Sequence, residues 1–212
     1  MPIDLVQVPP IDGRRARGER TRLRVLEALL DLVEEGQLHP TALEVAQRAG
    51  VALRTVYHHF EDVEALRRMA LDLQLTRHRE NLRSIDSTLS LDERIATITR
   101  QLRRLFEAIT PIRRATMFDE HSSLEMADGL RRSRAVRRNH LEQVFAPELG
   151  DNSAGRELLD AADVASSWQT WYYLRQGLGR PAAGAERILN YSLHQLLGNT
   201  AASAAATGTR RD

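Results

Sequence analysis

Apolar residues recur at intervals of three and four through most of this chain, the period of helices buried along one face. Leu26, Leu29, Leu30 and Val33 stripe a first helix expected over about residues 20–35, with Gly36 just past its end. Ala42, Val45, Ala46 and Ala49 stripe a short second helix that stops at Gly50. Val51 restarts the pattern, and Val56 and Phe60, four apart, mark the inner face of a third. Leu66, Met69, Ala70 and Leu73 then stripe a long helix expected to reach about Arg83. Ile95, Ile98, Leu102, Leu105, Phe106 and Ile109 place another over 91–109, which Pro111 is expected to break, leaving a short helix over about 112–118. A long helix is expected over 122–145, a turn over 147–153, and a final helix pair over 154–178 and 182–197. The chain reads as all-α.

The polar residues place the boundaries. Thr41 and Glu44 form a Thr-x-x-Glu capping box at the start of the second helix, and Ser90 with Glu93 forms another before residue 91. Gly50 can take the left-handed conformation that a residue with a Cβ resists. Pro9-Pro10 and Gly13 leave residues 1–18 without periodicity, and the Ala, Thr, Ser and Gly of residues 199–212 read as a disordered tail. The expected organisation is a basic arm over 1–18, a reading head over 19–62, a helical body over 63–198 and the tail.

Residues 41–60, TALEVAQRAGVALRTVYHHF, are therefore two short helices joined by a tight turn. The second has an apolar inner face and presents Arg54, Thr55, Tyr57, His58 and His59 on the rest of its surface. That is the construction of a helix-turn-helix that reads DNA. The stretch resembles the DNA-binding motif of TetR-type (tetracycline-repressor-like) regulators, whose pattern is roughly I-A-x-x-A-G-V-S-x-G-T-(L/V)-Y-x-H-F followed by a short Lys-x-x-L link. Val45-Ala46, Ala49-Gly50-Val51, Thr55-Val56-Tyr57, His59-Phe60 and Leu66 fall in register with it. Ala52 replaces the usual capping Ser, Leu53-Arg54 stands where x-Gly is common, and Val63 replaces a phosphate-binding Lys.

The resemblance implies a three-helix helix-turn-helix DNA-binding domain at the N-terminus and a helical ligand-binding and dimerisation domain after it. In such regulators the helix after the motif transmits the ligand signal. The last two helices resemble the family's dimerisation pair. Here Ala161, Ala162, Ala165 and Ser166 offer a small-residue surface, and Leu189, Leu193, Leu196 and Leu197 repeat at helical spacing.

Charge and composition bound the rest. The 212 residues are 42% hydrophobic but only 5% aromatic, so the core is largely aliphatic. The net charge of +1 is uninformative, but its distribution is not: six Arg stand between residues 14 and 24 against one acid, Glu19. These arginines, Arg17 among them, can lie on phosphates or form a solvated tail. The Arg131, Arg132, Arg134, Arg137 and Arg138 run reads as a solvated helix face, with Glu142 a partner for Arg138. There is no cysteine, which removes disulfides and thiolate chemistry and fits a reducing cytoplasm. No apolar run approaches the ~20 residues that span a bilayer, and the first residues lack the form of a secretory signal.

Function follows as a set of expectations: a DNA-binding transcriptional regulator, a repressor by the family's common mode, binding a pseudo-palindromic operator as a homodimer and released by a small-molecule effector. Leu53 and Arg54 are the candidate base readers. Thr55, Tyr57 and His58 are candidate phosphate contacts, joined by Thr41 at a helix N-terminus and by Arg17. Met117, Phe118, His121, Trp168, Trp171 and Tyr172 are candidate ligand-lining residues, with Gln169 able to orient a ligand. No cofactor, metal or membrane partner is expected. The seven His form none of the paired zinc-binding spacings, and there is neither a phosphate-cradling Gly-rich loop nor a Gly-x-Ser-x-Gly. An all-helical dimeric adaptor with a vestigial helix-turn-helix is the alternative to a regulator.

Overall fold

In the computed structural model the described residues are 13–78, 82–117 and 123–208, and among them there is no strand. The helices are α1 (Gly13–Glu34), α2 (Ala42–Ala49), α3 (Leu53–His59), α4 (Val63–Arg77), α5 (Leu91–Ala115), α6 (Leu124–Val144), α7 (Ala146–Leu149), α8 (Ser153–Ala165), α9 (Trp168–Tyr172) and α10 (Ala182–Gly208). A π-helical turn, Tyr173–Gly177, runs on from α9.

Two cores hold these helices. The first joins Val25, Leu29 and Val33 of α1 to Val45 and Ala46 of α2, Val56 of α3, and Leu66, Ala70 and Leu71 of α4. It does not stop at the head, because Ile112 and Ala115 of α5 and Met126 and Leu130 of α6 belong to it. The second gathers Ile95, Ile98, Leu102, Leu105 and Phe106 of α5 with α6, α7, α8, α9 and the Leu189, Leu193 and Leu197 stripe of α10. Leu75 of α4 packs against both. Helix α4 and the end of α5 thus connect head and body.

Several elements differ from the sequence pattern. Helix α1 begins at Gly13, so Arg14, Arg15 and Arg17 form helical turns rather than a free arm. Arg17 donates from Nε to the Gly13 carbonyl at 3.1 Å, and arginine, the commonest residue of these turns, propagates a helix well once its body is anchored. Pro111 does not break α5. The Thr110 hydroxyl donates to the Phe106 carbonyl, and Ile109, Ile112 and Ala115 are buried on both sides of the proline, which offsets the ~3 kcal/mol an internal proline costs. The segment expected as one helix over 154–178 is split at Ser166-Ser167: the Ser166 hydroxyl donates back to the Ala162 carbonyl, and Ser167 Oγ caps α9 by accepting from the Thr170 N–H. Helix α4 ends at Arg77, capped by His78, short of residue 83. Helix α10 runs to Gly208 through the run expected as disordered, since its alanines are the strongest helix formers.

The arginine run of α6 is not one solvated face. Arg137 is buried, and its Nη2 meets Asp163 of α8 at 2.9 Å. Arg138 pairs with Asp160 of α8 at 2.6 Å, not with Glu142.

Candidate nucleic-acid interface and cavity

Helix α2 is fixed at both ends by its own sequence. Thr41 Oγ1 accepts from the Glu44 N–H at 3.3 Å, while the Glu44 carboxylate accepts from the Thr41 N–H at 2.7 Å. The Thr41 N–H, contributing most, and the Thr41 hydroxyl, which also donates to the Glu44 carboxylate at 2.7 Å, hold the Glu44 carboxyl below the usual carboxylate range. Gly50 takes φ 63°, ψ 40°, and the Val51 N–H returns to the Ala46 carbonyl at 3.0 Å, which turns the chain toward α3. A bidentate pair from Arg48 to Glu35, at 2.6 and 2.9 Å, ties α2 to the loop after α1.

Helix α3 starts without a side-chain cap, because Ala52 has no hydroxyl to offer. It is held by burial instead. Val56 and Phe60 are 2% and 3% exposed, each contributing about 1.5–3 kcal/mol. The opposite surface is open: Leu53, Arg54, Tyr57 and His58 are exposed and Thr55 is half-buried. His59 turns inward, its ring edge-on to His58 at 5.2 Å and to Phe60 at 6.4 Å. Burial pushes its pKa below the ordinary histidine value, helped by the charges of His58 and Arg22 and opposed by Glu19. The Arg22 guanidinium lies 6.0 Å from the centre of the Phe60 ring, and its Nη2 reaches Met69 Sδ at 3.2 Å, so one α1 side chain braces both the end of α3 and α4. Asp62 caps α4 by accepting from the Ala65 N–H at 2.6 Å. Val63, in place of a lysine, is half-buried against the head core.

Of the expected DNA-contact residues, Leu53, Arg54, Thr55, Tyr57 and His58 stand on α3 and Thr41 is the N-cap of α2. Arg17 belongs to the first turns of α1, with Arg20 and Arg24 following on the same exposed helix at i+3 and i+7. The exposed Leu43 and Gln47 of α2 carry no signal in the sequence beyond lying off its apolar stripe.

A cavity of about 600 Å³ lies between α4, α5, α6 and α9. Leu105, Phe106, Ile109 and Trp168 supply apolar wall, while Asp72, Arg113, Arg132, Arg134, Arg137 and Gln169 supply polar wall. Trp168 donates from Nε1 to Thr110 Oγ1 at 3.1 Å and carries the Arg113 guanidinium on its ring face. Burial raises the Asp72 pKa, and Arg68 and Arg132 oppose that rise. Of the expected ligand-lining residues, Trp168 lines this cavity. Trp171 does not: it is core, 1% exposed and 6.1 Å from the Phe106 ring. Tyr172 stacks behind Trp168 at 4.9 Å, and Met117 is exposed at the end of α5, outside the cavity wall. Phe118 and His121 lie outside the described residues. Arg113 is the wall residue that the sequence pattern missed, although it stands four residues after Ile109 on the apolar stripe of α5.

No known protein-family profile matches the chain, and no curated protein matches its sequence. Solved structures do resemble it. A transcriptional regulator from Rhodococcus superposes with a TM-score of 0.68 at 21% identity, over 84% of this chain and 96% of its own. A TetR-family transcriptional regulator from Streptomyces coelicolor gives 0.68 at 18% identity, over 90% and 86%. A putative TetR-family regulator from Mesorhizobium loti gives 0.57 at 15% identity, over 86% and 97%. The chain has the fold of these regulators over most of its length.

Proposed function

We propose that this chain is a DNA-binding transcriptional regulator that reads a pseudo-palindromic operator as a homodimer and answers to a small molecule bound in the cavity beside Trp168. The observation that carries the reading is the two-sidedness of α3. Val56, with Phe60 just past the end of the helix, is locked into the head while Leu53, Arg54, Tyr57 and His58 stand exposed on one short helix. In a major groove, Arg54 would fork onto guanine O6 and N7 and Leu53 would meet a thymine methyl. Thr55, Tyr57 and His58 would hold phosphates, which sets register without reading sequence. Thr41 spends its own N–H and hydroxyl on Glu44, so its contribution would come through the helical turn it caps. Arg17, on the extended α1, would add an electrostatic contact.

The second subunit would join through α8 and α10. Val164 and Tyr191 are 67% and 65% exposed on those helices, two large side chains open to a partner. Two heads would then address half-sites about 34–36 Å apart or a multiple of that. The effector would act through α4, which lines the cavity with Asp72, Leu75 and Thr76 and belongs to the head core with Leu66 and Ala70. Release of DNA on effector binding is the default direction, and by linkage DNA would weaken effector binding by the same factor.

Selection of duplexes from a random-sequence library by the purified full chain tests this. The expected outcome is an enriched two-fold-symmetric motif whose binding weakens steeply between low and moderate salt. Failure to enrich any sequence at low salt would overturn it.

A further inference from the structure

Three helices pass from the head core to the body core, and each makes the crossing beside the cavity. In α4, Ala70 and Leu71 belong to the head core, Leu75 packs against both cores, and Leu75 lines the cavity. In α6, Leu130 belongs to the head core and Leu141 to the body core, with Ser133 and Val136 of the cavity wall between them. In α5 the change is abrupt. Ile109 is the last residue in the body core and Ile112 the first in the head core, and Pro111 stands between them. A proline has no N–H, so the Glu107 carbonyl lacks the donor a helix would supply four residues on, and the ring crowds that carbonyl. This is the usual origin of a bend in a helix.

The joint is bridged from outside the helix. Trp168 Nε1 donates to Thr110 Oγ1 at 3.1 Å, and that hydroxyl donates to the Phe106 carbonyl at 2.5 Å. Trp168 is itself held in place. It opens α9, whose cap, Ser167 Oγ, accepts from the Thr170 N–H at 3.1 Å, and its ring stacks on Tyr172 at 4.9 Å. An indole fixed in the body thus grips α5 one residue before the proline, and the same indole lines the cavity.

We infer that Pro111 is a hinge between the body and head segments of α5, and that the Trp168–Thr110 hydrogen bond is its latch. This rests on the reading of α3 as the DNA-reading helix and of the cavity as the effector site. A molecule that displaces the indole opens the latch, and the head then turns more freely on the body. Two heads joined through their bodies must match one half-site spacing. A loose hinge therefore lowers duplex affinity, because binding must remove the added freedom. By linkage, a duplex that fixes the heads acts back on the indole.

The chain has two tryptophans, so Trp171→Phe leaves Trp168 as the sole indole. Titration of that variant with the enriched duplex is expected to change the Trp168 emission in proportion to occupancy, which is read separately from the anisotropy of a labelled duplex. Thr110→Val keeps the shape and removes the hydroxyl. It is expected to weaken duplex binding about five-fold or more and, in the Trp171→Phe background, to abolish the emission change. Thr110→Ser keeps the hydroxyl and is expected to retain both. Pro111→Ala returns a donor to the Glu107 carbonyl. It is expected to raise the denaturant midpoint and to diminish the emission change while the duplex still binds. The affinities are compared in the otherwise wild-type chain, so they do not depend on how Trp171→Phe folds. Duplex binding without a change in Trp168 emission, wild-type affinity in Thr110→Val, Thr110→Ser as weak as Thr110→Val, or an undiminished emission change in Pro111→Ala would each overturn the inference and leave the regulator standing. No duplex binding by the wild-type chain would overturn the regulator reading, and the inference with it.

Discussion

Arg94 and Glu148 face each other as a bidentate ion pair, Nη2 to Oε1 at 2.5 Å and Nη1 to Oε2 at 2.8 Å, with both side chains at least nine-tenths buried. Arg94 Nη1 also donates to the Val144 carbonyl at 2.6 Å, and its guanidinium lies 6.0 Å from the Phe145 ring. The pair therefore pins the start of α5 to the junction of α6 and α7, at the end of the body farthest along α5 from the head. Removing one partner leaves a buried charge without its counterion. Glu148→Ala is expected to cost about 3–5 kcal/mol and to lower Tm by roughly 6–20 °C. The double change Arg94→Met with Glu148→Leu should recover most of that loss in thermal unfolding. Equal loss in the single and double variants would show that the pair is not what Glu148 supplies.

Gly50 sits at φ 63°, in the left-handed region, where no Cβ would clash with any neighbour. The cost of a side chain there is thus purely conformational. Gly50→Ala should destabilise the head by about 1–2 kcal/mol and leave the cavity untouched. Chemical denaturation, compared with ligand titration on the same variant, checks both halves.

The fold was legible where the period was clean and illegible where a breaker was overruled. The capping box Thr41–Glu44, the turn at Gly50 and the burial of Phe60 follow from local chemistry, and the structure has all three. Pro111 was legible as a breaker, because its missing N–H is a local fact, whereas the burial of Ile112 and Ala115 that overrules it is tertiary. That one misreading hid Arg113. With the helix ended at residue 109, the arginine falls off the stripe; with the helix continuous, it is the charged member of an apolar face. The same holds for Arg137, whose partner Asp163 is 26 residues away on another helix. Serine, by contrast, is ambiguous by nature: Ser166-Ser167 could continue a helix, and the choice to bond back and recap is made by the packing of Trp168 and Trp171.

Burial holds the pKa values of His59 and His140 below the ordinary histidine value. His140 meets Gln101 Oε1 through Nε2 at 3.2 Å, on the inner side of α6. A group whose folded pKa is lower than its unfolded one binds its proton more readily when unfolded. The two histidines thus leave stability level above the unfolded histidine pKa of about 6.5, and stability falls as pH drops through and below that value. His140→Gln should flatten the pH dependence of unfolding between neutral and mildly acidic pH, measured by denaturant midpoints at each pH. An unchanged slope would exclude His140 as a source.

In the proposed dimer, Val164 and Tyr191 would lie at the contact between subunits. Val164→Asp combined with Tyr191→Arg should convert a dimer to monomer by sedimentation and weaken operator binding by at least 100-fold, since one head then binds alone. The helical circular dichroism signal should stay intact, because both side chains are exposed within one chain. A dimer that persists in the double variant would move the contact elsewhere.

The most direct measurement is the affinity of the wild-type chain, Arg54→Ala and Tyr57→Phe for the enriched duplex and for a scrambled duplex at one fixed salt concentration. If α3 reads bases, Arg54→Ala loses about 1–3 kcal/mol on the enriched duplex and little on the scrambled one. If Tyr57 holds a phosphate as proposed, Tyr57→Phe loses the same on both. Equal losses for Arg54→Ala on the two duplexes would contradict the assignment of α3 as the reading helix.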